Sequence, residues 1–522
     1  MTRYTHKSPA SIDRRDFIHL AGLGAMGALV LGLDVPVGAQ KQPNFIFMVS
    51  DDQGWDGLSV QMHDAIAGSK SDFYQTFNLE RLAQRGMRFS AAYAPSPVCS
   101  PTRCSLQTGK SPAQNHWTKA SPILTARDGR KLIPPMHGRN LSNDEITIAE
   151  MLKQAGYTTA HYGKWHLGGG GPGRHGYDVH DGNTGNRDAA RHVDPNPVDI
   201  FGMSRRANAF MEENTEAGKP FFIQLSYYAL HYPRNALEST RQAYENRPRG
   251  RVHRNVNRAA ITEDLDTGVG MIMDQVEKLG IGDHTYLIYM SDNGAVGGGL
   301  GVLRGSKGSL WEGGIRVPLI IQGPGIEPNT VCHERVVGVD LFPTLCELGG
   351  VSQPLPSGIE GGSITSLLSG GSGAVARPRE ELVFHFPHYQ SEDDGPHSAI
   401  MLGDYKLIKF YETDDVRLYD LANDIGEQND LSKDMGEEAM RLRERLEQYL
   451  ESVDAQMPVP NPNYTTGKSS DFNGDGQIDF QDFLEFARAY GSEETRFDLD
   501  NSGRVDFADF LRFIQDFGSA GN

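Results

Sequence analysis

The chain has 522 residues, of which 38% are hydrophobic, so it is long enough for one large α/β domain with smaller appendages and is not a small disulfide-dependent fold. Acidic residues outnumber basic ones by 68 to 50, and the net charge of −18 argues against a nucleic-acid partner. The four cysteines are too few for a disulfide framework, and whether Cys332 pairs with Cys346 stays open.

An export signal is predicted at residues 1–40. Arg14 and Arg15 precede an apolar, glycine-rich run from Leu20 to Leu33, and Val37–Ala39 fits a small-residue cleavage site. The pattern resembles a bacterial twin-arginine signal and predicts a periplasmic, secreted or cell-surface protein. The apolar run is too short and too often broken by glycine for a retained membrane helix, and no other stretch could span a bilayer.

Two continuous apolar segments, Asn44–Ser50 and Thr285–Ser291, are typical of strands buried on both faces of a parallel sheet. Between them, Thr147–Ala155 and Asn257–Leu279 are predicted to be helices, the second with a 3.6-residue apolar stripe. Alternating strands and helices predict a doubly wound α/β core.

Oxygen-bearing side chains follow both predicted strands. Asp51 and Asp52 come after the first strand, and Asp292 and Asn293 after the second. Open α/β sheets place their ligands at the carboxyl ends of the strands, and ligation by oxygen alone suits Ca²⁺ or Mg²⁺. An isolated Asp-Asp pair is more often a helix cap or a turn, but two matching strand ends favour a metal site.

A nucleophile and a cation are predicted at the start of one helix. Ser100 fits the N-cap, Pro101 the first helical position and Gly109 the C-terminal stop. Cys99 would then lie at the positive end of the helix, with Arg103 four residues on and on the same side.

Further cations can complete an anion-binding cup. Lys164 and His166 are two residues apart at the end of an extended stretch, so their side chains are expected to point the same way. With Arg103, His231 and Lys307, they could hold an anion within a strongly acidic protein.

The sequence pattern changes towards the C-terminal end of the chain. Short strands near Ser398–Asp420 and a charged helix over Met435–Val453 predict a small antiparallel subdomain at residues 381–455. Met457–Ser470 is rich in Pro, Asn and Ser, so residues 456–470 are predicted to be a linker that joins neither a helix nor a ladder.

Residues 471–522 form a separate acidic module built from two repeats. The segments 478–491 and 505–518 are identical at seven of fourteen positions. Each repeat places oxygen atoms at calcium-loop positions 1, 3, 5, 9 and 12, with glycine at position 6. Including position 7, the candidate ligands are Asp471, Asn473, Asp475, Gln477, Asp479 and Asp482 in the first loop, and Asp498, Asp500, Ser502, Arg504, Asp506 and Asp509 in the second.

Both loops have Asp instead of Glu at position 12, and no helix precedes the first loop. The pair resembles dockerin-type calcium repeats more than EF-hand sensors. Apolar faces that include Phe480, Leu484, Phe507 and Leu511 are expected to be held together by calcium, which predicts a small all-α calcium-binding module. A cohesin-like surface partner is one function of such a module, and a passive structural role is the other.

The pattern C-x-P-x-R at 99–103, followed by L-x-T-G at 106–109, resembles the signature of the type I sulfatases of the alkaline-phosphatase-like superfamily. In that family the cysteine is oxidised to formylglycine (3-oxoalanine). The resemblance covers about residues 43–455 and rests further on Asp51-Asp52, Gly163–Gly168, Leu230–Pro233, Ser291–Gly294, Gly305–Lys307 and Trp311–Gly314.

The resemblance implies a catalytic domain at residues 41–380 with a large mixed sheet sandwiched by helices. It implies an exported enzyme that hydrolyses sulfate esters, on a sulfated carbohydrate, with Ca²⁺ rather than Mg²⁺ bound by Asp51, Asp52, Cys99, Asp292 and Asn293. A formylglycine-generating maturase would be a further partner.

The resemblance also implies roles for the cationic residues. Arg103 would steady the formylglycine hydrate, and His231 and Lys307 would stabilise or protonate the departing alkoxide. His166, supported by Lys164, would remove the proton from the remaining hydroxyl, and Asp292 would be a candidate base. Two alternatives stay open at this point: a phosphodiester or phosphonate ester hydrolase of the same superfamily, and a catalytically silent protein that binds sulfated glycans.

Overall fold

The computed structural model describes residues 42–120, 130–297, 301–390, 395–462, 464, 469–500 and 502–518. The predicted signal peptide lies outside the described residues. Within the described ranges, no helix combines the length and the apolar character needed to cross a membrane.

Strands account for the apolar runs that are rich in β-branched and aromatic residues. They are β1 (Asn44–Ser50), β2 (Met87–Phe89), β3 (Ala92–Tyr93), β4 (Leu132–Ile133), β5 (Thr158–Gly163), β6 (Val179–His180), β7 (Phe221–Ser226), β8 (Thr285–Ser291), β9 (Leu319–Gln322), β10 (Thr330–Cys332), β11 (Val336–Val337), β12 (Leu382–Phe386), β13 (His397–Leu402), β14 (Tyr405–Phe410), β15 (Val416–Asp420) and β16 (Val459–Pro460).

Helices occupy the segments with 3.6-residue apolar periodicity. They are α1 (Phe77–Arg85), α2 (Cys99–Thr108), α3 (Ile148–Gln154), α4 (Ile200–Glu216), α5 (Glu238–Glu245), α6 (Val256–Lys278), α7 (Glu312–Ile315), α8 (Leu341–Leu348), α9 (Thr365–Leu368), α10 (Gly436–Ser452), α11 (Phe480–Ala489) and α12 (Phe507–Asp516). Short 3₁₀ turns lie at Ala67–Ser69, Pro172–His175, Pro197–Asp199, Gly282–His284 and Gly338–Asp340.

The large sheet has eight strands in the order β10-β2-β9-β8-β1-β7-β5-β6. Strand β1 is parallel to both of its neighbours, β7 and β8, whereas β9 is antiparallel to β8 and to β2. The expectation of a mixed sheet is confirmed, and the strands predicted from Asn44–Ser50 and Thr285–Ser291 have the predicted bounds.

Helices cover both faces of this sheet. In β1, Phe45 and Phe47 enter one hydrophobic cluster, and Ile46 and Met48 enter the other, because successive side chains of a strand point to opposite faces. Helix α6 contributes its predicted apolar stripe to the second cluster, and α3 and α8 pack in the first. Strand β1 is therefore buried on both sides, which fixes the position of its carboxyl end.

The predicted antiparallel subdomain is a four-stranded sheet, β12-β13-β14-β15, followed by α10. A buried ion cluster ties it to the large domain. Lys406 of β14 places Nζ 2.9 Å from Glu312 Oε1 and 2.8 Å from Glu427 Oε1. Glu312 also accepts from Arg316 Nε at 2.6 Å. All four charged groups thus share one network inside the protein.

The prediction that the linker takes no part in a ladder is wrong at its centre. Val459 and Pro460 pair antiparallel with Ile133 and Leu132. Next to this pair, the backbone N–H of Asn461 donates to the carbonyl oxygen of Lys131 at 2.8 Å. Proline is compatible with this position because a two-stranded pair leaves one edge of each strand unpaired.

The C-terminal module contains α11 and α12, each preceded by one of the predicted loops. Phe472, Phe486 and Phe513 lie in its hydrophobic interior, whereas Phe480 and Phe507 are 61% and 59% exposed. The predicted apolar faces are therefore only partly packed together, since Phe483 and Phe510 pack against this interior whereas Phe480 and Phe507 lie on the outer face.

Candidate active site

The carboxyl ends of β1 and β8 place the acidic candidates side by side. Ser50 is paired with Ser291 in the parallel ladder, and the backbone N–H of Asp292 donates to the carbonyl oxygen of Ser50 at 3.0 Å. The backbone N–H of Asp52 then donates to Asp292 Oδ1 at 3.2 Å. The sheet register therefore holds Asp51, Asp52 and Asp292 together in the interior.

Cys99 is the first residue of α2. The N-cap is Val98, in an extended conformation, and not Ser100 as the sequence predicted. The Ser100 hydroxyl lies 3.0 Å from His166 Nδ1, so it is held by a different part of the chain and does not fold back onto the helix. The predicted stop at Gly109 is confirmed, with φ of 66°.

The Cys99 thiol lies in a positive environment. Its Sγ is 3.7 Å from His166 Nδ1. Burial alone would raise the pKa of the thiol, but the charges of Lys164 and Lys307 outweigh burial, and the pKa is lowered. Cys104 differs, because burial and the charge of Glu145 raise the pKa of its thiol in spite of Lys110. Of the two cysteines in α2, only Cys99 has a thiol pKa below its usual value.

Arg103 lies behind Cys99 and is bound by the protein itself. Its Nε and Nη2 donate to Asp292 Oδ2 at 3.0 and 2.7 Å, and its Nη1 donates to the carbonyl oxygen of Lys164 at 2.8 Å. Burial, together with the charge of Asp51, raises the pKa of Asp292 to about 7 in spite of this arginine. The guanidinium therefore positions the acidic cluster and the chain at Lys164.

Lys164 and His166 point to different partners. Strand β5 ends at Gly163, Lys164 Nζ donates to Asp51 Oδ2, and His166 has a φ of 57°. The strand ends before these residues, and the left-handed conformation of His166 interrupts the period of two, so the alternation behind the expectation does not hold at His166. Both side chains nevertheless reach the group around Cys99, as expected. Burial and the charge of Lys164 lower the pKa of His166 to about 3, so the imidazole that faces Cys99 is neutral.

Lys307 and His231 complete the group from two loops. Lys307 Nζ donates to Asp52 Oδ1, and this carboxylate also accepts from Asn293 Nδ2 at 2.8 Å. His231 lies in the loop after β7, where its Nδ1–H donates to the carbonyl oxygen of Tyr232 at 2.9 Å. The structure thus brings all six predicted catalytic side chains around the ends of β1, β5, β7 and β8.

The acidic residues fit a hard cation. Ligand atoms of Asp51, Cys99 and Asp292 all lie within 4.8 Å of one another. Asp51 Oδ1 and Asn293 Oδ1 are buried and accept no hydrogen bond from any described residue. An unpaired buried oxygen is costly, and a bound cation would satisfy both atoms. Oxygen-rich ligation is the chemistry that Ca²⁺ and Mg²⁺ prefer.

In both C-terminal loops, the carboxylate at position 12 accepts from the backbone at the start of the loop. Asp482 Oδ1 accepts from the backbone N–H groups of Phe472 and Asn473 at 2.6 and 3.0 Å, and Asp509 Oδ1 accepts from that of Asp500 at 2.9 Å. Ligand atoms of Asp498, Asp500 and Asp509 lie within 4.8 Å of one another. Position 12 of each loop therefore closes the loop onto the start of its helix.

Cys332 and Cys346 are both free thiols, so they do not form the disulfide that the sequence left open. The sequence indicated Ser100 only as a helix cap, whereas its hydroxyl lies 3.0 Å from His166 Nδ1, a contact between distant segments that no local pattern reports. Arg234, three residues after His231 in the same loop, was not among the predicted site residues.

Comparison with known families gives two matches. The family described as Sulfatase matches residues 43–351, and the family described as N-sulphoglucosamine sulphohydrolase, C-terminal, matches residues 306–456. The second match spans the four-stranded sheet and α10.

Three curated relatives match over most of the chain. A protein named Sulfatase from Formosa agariphila is 30% identical over 79% of this chain and 89% of its own length. Human Arylsulfatase A is 29% identical over 74% of this chain and 78% of its own length. The dog enzyme N-acetylgalactosamine-6-sulfatase is 29% identical over 67% of this chain and 68% of its own length.

Solved structures share the fold. Ps i-CgsB in complex with k-i-k-neocarrahexaose superposes with a TM-score of 0.64 at 23% identity, over 78% of this chain and 93% of that one. BT4656 in complex with its substrate D-glucosamine-2-N,6-O-disulfate superposes with a TM-score of 0.62 at 20% identity, over 79% of this chain and 98% of that one.

Proposed function

The chain belongs to the sulfatase family and is a sulfuric ester hydrolase, and on that premise we propose that it acts on a sulfated carbohydrate through a formylglycine made from Cys99. The position and the surroundings of Cys99 carry the proposal. Cys99 begins a helix, has a lowered thiol pKa, and shares a cluster with Asp51 and Asp292, beside the neutral imidazole of His166.

The residues fit two groups that the chemistry requires. A hydrated aldehyde at position 99 supplies two hydroxyls on one carbon, so that one can attack sulfur and the other can later expel sulfate. Asp51, Asp52, Asp292, Asn293 and residue 99 would hold a calcium ion, which would supply positive charge for the ionisation of the attacking hydroxyl and for the negative charge of the sulfate. The two buried, unpaired oxygens of Asp51 and Asn293 support this set of ligands.

Arg103 and Lys164 act as positioning residues. Arg103 binds Asp292, and Lys164 binds Asp51, so both cations hold the carboxylates in place and add positive charge near the sulfate. The same two cations disfavour a protonated imidazole at His166. His166 is therefore able to accept a proton from the hydroxyl that remains on residue 99 when sulfate leaves.

Lys307 contacts Asp52, and His231 lies in the loop after β7. Both can donate a hydrogen bond to the alkoxide that departs from sulfur, and His231 can also protonate it. Burial would lower the pKa of Lys307, but the charges of Asp52 and Cys99 outweigh it and raise that pKa, so Lys307 remains a cation and stabilises charge instead of titrating.

The substrate class is proposed from the relatives. One curated relative is named an N-acetylgalactosamine-6-sulfatase, and two structural neighbours hold neocarrahexaose or a sulfated glucosamine. In each case the carbohydrate named is the substrate or ligand of that other protein. Together they support a sulfated carbohydrate as the substrate of this chain.

The C-terminal module is proposed to bind two calcium ions through the two predicted loops. The carboxylates of the second loop already converge, and Asp509 closes that loop by accepting from the backbone of Asp500. Each helix also leaves an apolar surface exposed, at Phe480 and Leu484 and again at Phe507 and Leu511. These repeated surfaces support docking to a cohesin-like partner.

Export is proposed from the Arg14-Arg15 signal at residues 1–40. A twin-arginine route carries folded proteins, so a maturase could oxidise Cys99 in the cytoplasm before transport. The mature enzyme would then act in the periplasm or outside the cell, where sulfated polysaccharides are accessible.

Mass spectrometry tests the central step. The full chain is produced with a formylglycine-generating enzyme and digested with trypsin, and the peptide Phe89–Arg103 is expected to carry the mass of the aldehyde or its hydrate at position 99. The same preparation should hydrolyse an aryl sulfate faster than the matching aryl phosphate. An unmodified thiol, alongside efficient modification of a control sulfatase, would contradict the proposal.

A further inference from the structure

A second cleft with basic walls lies beside the candidate active site. Gly54 and Ala295 line it, and these residues are two positions beyond Asp52 and Asn293. The cleft therefore opens on the same edge of the sheet as the acidic cluster. Its basic lining residues are Arg234, His253, Arg254 and Arg258.

Two of the three arginines in this cleft, Arg234 and Arg258, are half-buried and have no carboxylate partner among the described residues. Arg234 donates to the carbonyl oxygen of Leu230 at 3.1 Å and to the Tyr232 hydroxyl at 3.2 Å. Arg258 donates to the carbonyl oxygen of Val296 at 2.7 Å. These acceptors are neutral, and neither arginine forms an ion pair with any carboxylate that the structure describes.

Donors remain free at both arginines. Arg234 Nη2 and Arg258 Nε are buried and have no hydrogen-bond partner among the described residues. Burial and the like charge of Arg258 lower the pKa of Arg234, which shows that the two cations interact unfavourably. Asp56 also lines the cleft, and its Oδ1 lies 3.8 Å from His253 Nε2, a distance at which the two groups form an ion pair only when the ring is protonated.

Arg241, a neighbouring arginine, behaves differently. It donates to Glu238 at 2.6 Å and also contacts Glu245, and both glutamates belong to its own helix α5. Its charge is neutralised there, as expected of a solvated surface. Arg234 and Arg258 instead form no direct ion pair among the described residues, although the charge of Asp52 acts on Arg234, in a protein with a net charge of −18.

We propose that this cleft binds a second anionic group, a sulfate or a carboxylate, of a saccharide whose scissile sulfate ester lies at residue 99. The inference rests on the proposed function and deepens it, since the substrate would be a polyanionic saccharide. Planar guanidinium groups match both anions, because each offers paired oxygens to paired N–H donors. Tyr232, 63% exposed and 4.2 Å below the Arg234 guanidinium, adds an aromatic surface for a sugar ring.

Kinetics with matched substrates test the proposal. Matured full-length protein is assayed on an aryl monosulfate, on carrageenan-derived oligosaccharides with several sulfates and no carboxylate, and on heparin-derived and chondroitin-derived disaccharides that carry a uronate. The measured quantity is the ratio of kcat/KM for each saccharide to kcat/KM for the aryl ester. A preference for the carrageenan series would identify sulfate, and a preference for monosulfated uronate disaccharides would identify carboxylate.

Variants then locate the effect. Arg234→Ala and Arg258→Ala are each expected to lower that ratio about tenfold or more, as loss of a charge-assisted contact predicts. Arg234→Lys should recover part of the loss, because the charge remains while the paired donors do not. Arg241→Ala is the matched control, and it should leave the ratio at the wild-type value.

A binding measurement keeps the two proposals separable. Labelled heparin and carrageenan oligosaccharides are titrated into the full chain carrying Cys99→Ser, with and without Arg234→Ala and Arg258→Ala. If matured wild-type protein fails to hydrolyse the aryl sulfate, the proposed function fails, and the titration alone decides the cleft. If neither substitution changes the kinetic ratio or the oligosaccharide affinity more than Arg241→Ala does, the proposed anion site is wrong.

Discussion

The Sγ atom of Cys99 lies 3.7 Å from Nδ1 of His166, and the same ring nitrogen lies 3.0 Å from the Ser100 hydroxyl. One neutral imidazole thus faces two consecutive side chains at the start of a helix. Because the ring is neutral, it can receive a proton from residue 99, which a protonated ring beside Lys164 could not do.

Replacing Cys99 with serine should lower aryl sulfate hydrolysis at least about a thousandfold, because the nucleophile is lost when the maturase acts only on cysteine. Steady-state kinetics on protein of confirmed fold measures this. Cys104→Ser is the matched control in the same helix and should retain activity. Full activity in Cys99→Ser would contradict the formylglycine mechanism.

Asp292→Asn should remove one bound calcium ion and reduce activity at least about a hundredfold, since the side chain keeps its shape but loses the charge that attracts the cation. Elemental analysis after dialysis counts the metal, and the aryl sulfate assay follows activity. Asp283→Asn, on an exposed turn just before β8, should change neither. An unchanged metal content in Asp292→Asn would exclude Asp292 as a ligand.

Lys406→Met should destabilise the protein by about 3–5 kcal/mol, because it leaves Glu312 and Glu427 as buried carboxylates without their shared cation. Chemical denaturation followed by fluorescence gives the change in unfolding free energy. Lys409→Met is the control, since its partners Asp414 and Glu447 are 65% and 46% exposed, and it should cost below about 1 kcal/mol. Equal effects of the two substitutions would contradict this account.

His385 should make stability fall as the pH falls. Its Nε2–H donates to the carbonyl oxygen of Gln456 at 3.0 Å, its Nδ1 accepts from the Ser398 hydroxyl at 2.6 Å, and burial lowers its pKa to about 4. An unfolded histidine binds a proton below about pH 6.5, whereas the folded one does not until about pH 4, so stability present at pH 7 is lost across that window.

The loss attributable to His385 between pH 7 and pH 5 is at most about 2 kcal/mol. Thermal melting of the wild type and of His385→Gln at both pH values measures it, because glutamine can form the same hydrogen bonds without titrating. The variant should show a shallower decrease than the wild type. An identical pH dependence in both proteins would show that His385 does not remain neutral.

Chelation of calcium should open the C-terminal module. With EGTA, trypsin is expected to cleave at Arg488, Arg496 or Arg512, while the catalytic domain resists, because the paired loops lose the ion that offsets carboxylate repulsion. Asp509→Asn should be cleaved in the same region even with calcium present, and Glu493→Gln should behave as the wild type. Resistance of Asp509→Asn to cleavage would argue against calcium binding by the second loop.

Local sequence patterns were sufficient for the frame of this molecule. The runs Asn44–Ser50 and Thr285–Ser291 have no polar interruption, so their strands have the predicted bounds. The stripe in α6 has one period throughout, and Gly109 adopts the left-handed conformation that a helix stop requires. Each of these features is decided by residues close together in the chain.

Errors arose where a distant segment decides the outcome. Ser100 could have capped its helix, but His166 binds its hydroxyl. The contact of Arg103 with Asp292, which accepts from two of its donors, was not foreseen either. Val459 is part of a two-stranded ladder because it pairs antiparallel with Ile133. None of these partners can be inferred from spacing, since each lies far away in the sequence.

Because Ser50 pairs with Ser291, the geometry of the reaction centre is fixed separately from the residues that select the substrate. The reaction centre inherits its geometry from the ladder between β1 and β8, whereas the residues that would contact the remainder of a substrate, such as Arg234 and Arg258, lie on a loop and at a helix start outside that ladder. Insertions or substitutions there can alter which ester is accepted without moving the carboxylates. Evolution, or directed mutagenesis, can therefore diversify substrate choice on this frame while the rate of bond cleavage is preserved.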